Sequence, residues 1–151
     1  MNKDDIDNIF PRQIKSVSLG TGSFVTIEFT ESEEEFDGIW IYLCSWKLFT
    51  KFDYNLNWYS QVDSNSPQEE IAQTLKSLQN GEISNVTARG KNASILSSNF
   101  EFKLWADPTN YELDSDLFRI YTSEKVYSYN YIKGFEEELR YQPSKGLRSG
   151  L

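Results

Sequence analysis

Histidine is absent from this sequence, and cysteine occurs once, as Cys44. Without histidine the chain has no Ser–His–Asp or Cys–His catalytic group and no His-ligated zinc or iron site. A single cysteine excludes an internal disulfide, a zinc ribbon, an iron–sulfur cluster and a CxxC redox pair. The phosphate-binding patterns GxxxxGK[ST] and GxGxxG are also missing. We therefore expect no cofactor and no bound metal, and we interpret Cys44 as a buried structural thiol.

Long apolar runs and an excess of basic residues are missing as well. No stretch approaches the ~20 apolar residues that span a bilayer, and the first residues, MNKDDIDNIFPR, lack the apolar core of a signal peptide. The chain has 15 Lys and Arg against 23 Asp and Glu, which gives a net charge of −8. This balance disfavours nucleic acid and anionic membranes as partners, because both attract proteins through Lys and Arg. We expect a cytoplasmic protein whose partner is basic.

Most of the chain alternates apolar and polar residues with a period of two, which is typical of half-buried β-strands. In SFVTIEFT the apolar side is formed by Val25, Ile27 and Phe29. The segment GIWIYLCSW is apolar on both sides, so it predicts one central strand, near residues 39–46, that is covered on both faces. Further strands are predicted in the segments IKSVSL, ISNVTARG, ASILSS, NFEFKLW, LFRIY and KVYSYNY.

One segment, near residues 67–79, is predicted to be a helix. It opens with SPQE, a capping box with proline at the first helical position. Apolar residues then recur at i, i+4 and i+7, as on a helix that lies on a sheet. Asn80-Gly81 provides the stop signal.

These elements predict one α+β domain over residues 1–133, made mostly of antiparallel β-structure. We expect a twisted sheet or half-barrel of about eight or nine strands with one helix against it. Residues 134–151 are interpreted as a polar C-terminal tail that is partly disordered and in which GFEEELRY makes a helical turn. The helix separates two halves that each begin with a hairpin of similar length. Either an ancient duplication or two independent β-meanders accounts for this similarity.

The stretch TESEEEFDG is the first candidate for function. Five of the seven residues from Glu31 to Asp37 are acidic, and an isolated carboxylate is too costly to bury. The ordinary interpretation is a solvated loop, and the functional one is half of a contact with a basic partner, since loops often carry function. Carboxylate catalysis is a further possibility, but acids are so numerous that no pair stands out, and we expect no enzymatic activity. DPTNYELDSD, at 107–116, lacks the spacing of a calcium-binding EF-hand and is interpreted as a polar loop.

The aromatic residues are the second candidate, because six of them exceed what a core of this size needs: Trp40, Tyr42, Trp46, Trp58, Tyr59 and Trp105. Trp and Tyr are enriched where proteins bind one another. Trp40 and Trp46 lie in the most apolar segment, so we expect them to pack in the core. Tyr127, Tyr129 and Tyr131 share one face of a strand and suggest an exposed stripe. The residues predicted to contact a partner are charged or aromatic: Glu31, Glu33, Glu34, Glu35, Asp37, Trp58, Tyr59, Trp105 and Asp107.

The order of segments resembles a group of small bacterial proteins that includes polymorphic-toxin immunity proteins, such as those of contact-dependent growth inhibition. The resemblance rests on IYLCSWKL, on LKSLQNG followed by Ile83 and Val86, and on NFEFKLWADP, and it covers about residues 14–131. It implies a cytoplasmic protein that neutralises a cognate toxin, often a nuclease, by stoichiometric binding, and it carries over no individual binding residue. The alternative is a small-ligand carrier built as a β-barrel with an aromatic cavity. The oligomeric state is left open.

Overall fold

The structure is a computed structural model that describes residues 3–20, 24–30, 35–42, 44–50, 57–59, 68–106 and 115–140. Within these residues it contains two helices and twelve strands. The helices are α1 (Lys3–Asp7) and α2 (Gln68–Lys76). In chain order the strands are β1 (Arg12–Leu19), β2 (Val25–Phe29), β3 (Gly38–Ile41), β4 (Ser45–Thr50), β5 (Asn57–Tyr59), β6 (Glu82–Ile83), β7 (Asn85–Arg89), β8 (Asn92–Leu96), β9 (Phe100–Trp105), β10 (Phe118–Tyr121), β11 (Lys125–Asn130) and β12 (Gly134–Leu139).

The strands form two sheets, and the pairings between the described strands are antiparallel. One sheet has seven strands in the order β12-β11-β10-β3-β2-β1-β6, and the other has five in the order β5-β4-β9-β8-β7. Neither sheet closes on itself into a barrel. The prediction of a mostly antiparallel fold with few helices is confirmed, whereas the predicted numbers of one helix and eight or nine strands were too low.

The inner faces of the two sheets share one hydrophobic core. β2 and β9 alternate buried and more exposed residues along their length, as the period of two predicts. Trp46 of the five-stranded sheet is fully buried, and its ring meets that of Phe102 edge to face at a centroid distance of 5.8 Å. Because residues of both sheets belong to the same core, the fold is a sandwich with two outer faces.

Helix α2 lies against β1. The predicted apolar stripe, Ile71, Leu75 and Leu78, is buried, although Leu78 lies in the turn that follows α2. The helix ends at Lys76 rather than near residue 79, and the turn closes at Asn80, whose φ of 69° is a left-handed conformation that Asn tolerates. The predicted cap at residues 66–67 lies outside the described residues. Neither described helix is both long enough and apolar enough to cross a membrane.

The segment predicted as one central strand, near residues 39–46, contains a crossover between the two sheets instead. β3 is the middle strand of the seven, with Ile39 and Ile41 buried, while β4 begins at Ser45 in the other sheet. The inward positions are odd-numbered in β3 and even-numbered in β4, where Trp46 faces the core. This change of parity explains why the segment is apolar on both sides.

Two further predictions were wrong: a polar edge strand was taken for a tail, and two buried tyrosines were taken for an exposed stripe. Residues 134–139, assigned to the tail and to a helical turn, form the edge strand β12, which pairs with β11 along its whole length; residues 141–151 lie outside the described part. Tyr127 and Tyr129 are buried in the core rather than exposed. Burial raises the pKa of both phenols, and the hydroxyl of Tyr129 donates a hydrogen bond of 2.7 Å to the carbonyl oxygen of Gly90.

Apart from β6 and β12, the described strands of the two halves of the chain have the same topology. In the first half, the meander β1-β2-β3 stays in one sheet and β4-β5 belong to the other; in the second half, β7-β8-β9 occupy that other sheet and β10-β11 return to the first. β3 thereby pairs with β10, and β9 pairs with β4. The helices follow the same rule, since α1 contacts β7 and α2 contacts β1. The repeated topology supports a duplication over two unrelated meanders.

The correspondence between the two halves also holds for single residues in the β3–β10 and β9–β4 pairings. Ile41 lies opposite Phe118 in the seven-stranded sheet, and Leu104 lies opposite Trp46 in the five-stranded sheet. All four side chains are buried. Corresponding positions of the two halves therefore carry corresponding parts of the core, and residues next to them can be compared between the two outer faces.

Cys44 is buried at the crossover between β3 and β4, as predicted. Its thiol donates a hydrogen bond of 3.3 Å to the carbonyl oxygen of Leu117. Burial raises the pKa of the thiol from 9.0 to about 12, which outweighs the opposite effect of a backbone hydrogen bond with Tyr42. Cys44 is therefore a neutral thiol in the folded protein at neutral pH.

We expect Cys44 to resist modification by DTNB at pH 8 in the folded protein and to react fully in guanidinium chloride. The unfolded thiol ionises near 9.0 and the folded one near 12, so the contribution of Cys44 to stability is complete below pH 9 and declines between pH 9 and 12. Denaturant titrations at pH 8 and pH 10 should show a smaller loss of stability for Cys44→Ala than for the unchanged protein. Fast labelling of the folded protein would contradict this prediction.

Candidate functional site

The outer face of the seven-stranded sheet is built around the pairing of β3 with β10. The register places Trp40 opposite Arg119 and Gly38 opposite Tyr121. Directly opposed residues of antiparallel strands point to the same side of a sheet. Because the residues between them are buried, this side faces away from the core.

Five rings form a continuous aromatic row on this face: Phe24, Phe36, Trp40, Tyr42 and Tyr121. Phe24 stacks on Tyr42 with a centroid distance of 5.4 Å and an interplanar angle of 8°. Tyr42 and Trp40 are 6.5 Å apart, and Trp40 and Tyr121 are 4.9 Å apart. Rings at these separations attract and orient one another. Four of the rings are half-buried and Phe24 is exposed, with 38% of its surface accessible, so the aromatic row is presented to solvent.

Gly38 makes room for the fifth ring. A Cβ atom at this position would overlap the carbonyl oxygen of Ile27 and would lie 2.6 Å from the Cζ atom of Phe36. The missing side chain lets Phe36 lie against the strand, 5.8 Å from Trp40 and 5.6 Å from Tyr121 between ring centroids. The shape of the aromatic row therefore depends on glycine at position 38.

Arg119 lies on the aromatic row and is held there by a carboxylate. Its guanidinium carbon is 4.8 Å from the centroid of Tyr42, a distance at which the cation and the ring attract each other. Its Nε donates to Asp116 at 2.9 Å. Burial lowers the pKa of Arg119, but hydrogen bonds with Tyr121 and Asp116 outweigh this effect and leave the pKa above its usual value.

Arg140 fixes the end of the acidic run. Its guanidinium donates to Asp37 at 3.1 Å and to the carbonyl oxygen of Thr122 at 2.9 Å, and its Nε is 3.6 Å from the Glu35 carboxylate. The side chains of Arg140 and Asp37 are only 12% and 13% exposed, whereas that of Glu35 is 37% exposed. Asp37 is thus an internally paired carboxylate, and Glu35 is the more accessible of the two. Arg140 also covers the ring of Tyr121 at 5.4 Å.

Carboxylates border the aromatic row on both sides. Directly opposed residues of adjacent strands form a row across the sheet. This row begins at Glu28 on β2, crosses β3, includes Tyr121 on β10, crosses β11 and ends at Glu138 on β12. Glu136 ends the next row on the same face, and it is exposed like Glu138. Glu28 is half-buried and accepts a hydrogen bond of 3.3 Å from Ser16. The face therefore has an aromatic centre and an acidic margin.

Of the contact residues predicted from the sequence, the three with described side chains lie on two different outer faces. Glu35 and Asp37 lie at the end of the aromatic row, while Trp105 is half-buried on the outer face of the five-stranded sheet. Trp58 and Tyr59 belong to β5, the edge strand of that second sheet, and their side chains lie outside the described part. The remaining predicted residues lie outside the described ranges: Glu31, Glu33, Glu34 and Asp107.

The aromatic row itself was not predicted from the sequence. Trp40 and Trp46 were both expected in the core; Trp46 is buried there, but Trp40 is half-buried on the outer face. The alternation in LFRIY, where Phe118 and Ile120 are buried, places Arg119 and Tyr121 on the side away from the core. The adjacency of β3 and β10, which assembles the row, has no local signal in the sequence.

The described residues contain no group of three or more Cys, Asp or Glu side chains that could hold a metal ion. No family model, curated protein or solved structure matches the chain. The function is therefore inferred from the geometry of the outer face and from the charge of the chain.

Proposed function

We propose that this protein is a cytoplasmic immunity protein that binds a cognate toxin stoichiometrically and blocks it. The contact surface is the aromatic row with its acidic margin. The observation that carries the proposal is the arrangement of Trp40, Tyr42, Tyr121 and Arg119 as one half-buried patch at the centre of a sheet. Trp, Tyr and Arg are the residues most enriched at the energetic centre of protein interfaces, which are ringed by polar groups.

The electrostatics favour a basic partner. The chain carries a net charge of −8, and Glu28, Glu35, Glu136 and Glu138 lie around the aromatic row. Such a margin accelerates association with a positively charged surface and suppresses binding to acidic ones. The active cleft of a nuclease has this positive charge because it binds phosphates.

The packing of the aromatic row also favours binding. Each of its rings contacts at least one other ring, and Phe36 is fixed against Gly38. Side chains that are already ordered lose little conformational entropy when a partner covers them. A regular antiparallel sheet under the rings keeps their spacing constant.

The alternative function, a carrier with an aromatic cavity inside a β-barrel, has weaker support. The two sheets are open, and large buried side chains such as Trp46, Phe102 and Phe118 occupy the space between them. The aromatic residues of the segment 39–46 are divided between the filled core, which holds Trp46, and the outer face, which holds Trp40 and Tyr42.

Capture of the partner by matched variants tests the proposal. We expect the unchanged protein to retain a basic polypeptide from a lysate of the source organism and to release it in a salt gradient. The double variant Phe24→Ser/Tyr42→Ser removes the exposed end of the aromatic row and should weaken retention by about tenfold or more. The control is Trp105→Ser, because Trp105 is the counterpart of Tyr42 in the other half, and it should retain the polypeptide.

The captured polypeptide should also behave as a toxin. Its expression alone should arrest growth of a bacterial host, and co-expression of the unchanged protein, but not of the double variant, should restore growth. Retention that is equal for both variants, or a polypeptide without effect on growth, would contradict the proposal. Circular dichroism of each variant confirms that the comparison is made between folded proteins.

A further inference from the structure

Short polar side chains lie beside the aromatic row on the outer face of the seven-stranded sheet. In the pairing of β1 with β2, Ser16 lies opposite Glu28 and Ser18 lies opposite Thr26. The residues between them on both strands are buried, so these four side chains point away from the core. We refer to Ser16, Ser18 and Thr26 as the polar shelf.

The polar shelf meets the aromatic row at Trp40. Thr26 lies directly opposite Trp40 in the pairing of β2 with β3, and opposed side chains stand next to each other on one face of a sheet. Because a threonine is much shorter than a tryptophan, the indole ring forms a step above the shelf. On its other side, Trp40 lies opposite Arg119 of β10. The step therefore combines an aromatic wall with a polar floor.

Glu28 lies at one end of this step. It is opposite Gly38, and Trp40 is the next residue of β3 on the same face, so Glu28 and Trp40 are diagonal neighbours about 7–8 Å apart. The Glu28 carboxylate accepts a hydrogen bond of 3.3 Å from Ser16. A carboxylate has about four lone-pair positions, so this hydrogen bond leaves acceptor capacity for further donors. An aromatic ring and a carboxylate thus border the same step.

The same face already holds arginine side chains with this combination of groups. The guanidinium carbon of Arg119 is 4.8 Å from the centroid of Tyr42, and its Nε donates to Asp116 at 2.9 Å. The guanidinium carbon of Arg140 is 5.4 Å from the centroid of Tyr121, and the group donates to a carboxylate at 3.1 Å. In each case a guanidinium contacts a ring and a carboxylate together. The step offers the same two groups to a guanidinium from outside the chain.

We propose that the step between the polar shelf and the aromatic row binds an arginine side chain of the partner. The inference names the side chain by which the partner is recognised, so it rests on the proposed function. The guanidinium stacks on Trp40, the kind of ring that attracts cations most strongly, and donates in its own plane to Glu28. A lysine ammonium is a compact point charge without a plane that can stack. The site therefore favours arginine over lysine at equal charge.

The other outer face differs at the corresponding position. Lys103 takes the place of Trp40, because the two residues directly precede the matched core residues Leu104 and Ile41. An arginine side chain at that position would meet a like charge in place of an indole ring. The preference for arginine should therefore depend on the seven-stranded sheet, and Trp105 of the five-stranded sheet provides a control residue.

Calorimetric titration with hexaarginine and hexalysine, two peptides of equal charge, tests this proposal. We expect the unchanged protein to bind hexaarginine about tenfold more tightly than hexalysine, which corresponds to ~1.4 kcal/mol. Trp40→Leu and Glu28→Gln should each bring the two dissociation constants close together. Trp105→Leu, on the other outer face, should leave their ratio unchanged. Glu69→Gln removes the same charge as Glu28→Gln from an exposed position on α2 and should also leave it unchanged.

Two results would overturn the proposal. Affinity for hexalysine equal to that for hexaarginine would mean that the face recognises charge alone. An arginine preference that survives both Trp40→Leu and Glu28→Gln would place the recognition elsewhere. Glu28 is half-buried and glutamine has the same shape, so Glu28→Gln should fold and carries the test if Trp40→Leu does not.

The peptide titration and the capture experiment can fail separately. Capture of a toxin by a protein that shows no arginine preference overturns this inference and leaves the proposed function in place. An arginine preference that depends on Trp40 and Glu28, together with a captured polypeptide that has no effect on growth, overturns the identity of the partner and retains the arginine site.

Discussion

Gly38→Ala should lower the free energy of unfolding by about 3 kcal/mol, the upper part of the range for overpacking a filled site. The added methyl group would overlap the carbonyl oxygen of Ile27, which is backbone in a neighbouring strand, and would press on Phe36. A flexible side chain could yield, but the backbone of β2 is fixed by its ladder to β3. The midpoint of thermal unfolding should fall by about 10 °C.

Gly20→Ala is the matched control. A Cβ atom at Gly20 would lie 3.6 Å from the Cβ atom of Phe24 and 3.7 Å from its carbonyl oxygen, which are ordinary contact distances. We expect its stability to stay within about 0.5 kcal/mol of the unchanged protein. Differential scanning calorimetry of both variants measures the difference, and equal midpoints would show that Phe36 and β2 adapt to the methyl group.

Arg140→Gln should also cost about 3 kcal/mol, because it leaves the buried carboxylate of Asp37 without its cation. Arg140 contacts Asp37, Glu35, the Thr122 carbonyl oxygen and the ring of Tyr121 at once. Its loss should therefore also free the end of the acidic run from the edge of the sheet. Chemical denaturation measures the stability, and amide hydrogen exchange at residues 35–37 measures the local release.

Two controls separate the charge of Asp37 from the other contacts of Arg140. The double variant Asp37→Asn/Arg140→Gln should be more stable than Arg140→Gln alone, since an amide is less costly to bury than a carboxylate that has lost the cation of Arg140. Lys125→Gln removes a cation from the exposed ion pair with Glu137, where the atoms are 3.0 Å apart, and should have far less effect because water screens that pair. If the changes that the two substitutions cause in the free energy of unfolding simply add, the charge of Asp37 contributes nothing through Arg140.

The sequence predicted those parts of the fold that depend on local periodicity. Val25, Ile27 and Phe29 were assigned to the core because one face of a strand is buried along its whole length, and α2 was found through its apolar stripe and its Asn80-Gly81 stop. The parity change between Ile41 and Trp46 was missed, because a crossover between sheets leaves both sides of the segment apolar. β12 was missed because an exposed edge strand need not alternate.

The candidate site was predicted only in part, and for a related reason. Charge drew attention to Glu35 and Asp37, which do lie at the aromatic row. The partner of Asp37 is Arg140, which is 103 positions away in the chain and becomes its neighbour only through β12. The aromatic row likewise needs β3 and β10 to be adjacent, and no local pattern in a single sequence specifies which strands pair.

The exchange of strands between the halves determines when the protein can fold during synthesis. β3 has no neighbour on one side until β10 has left the ribosome, and β4 has no continuous sheet until β9 has done so. In the first half alone, Ile39 and Ile41 therefore lack the neighbouring strand β10, in which Ile120 and Phe118 lie opposite them. We therefore expect the two halves to form together rather than one after the other, and the long-range pairings predict slow folding with high contact order after synthesis. We also expect the nascent chain to expose apolar strand faces for longer than a chain of two consecutive domains of the same length would.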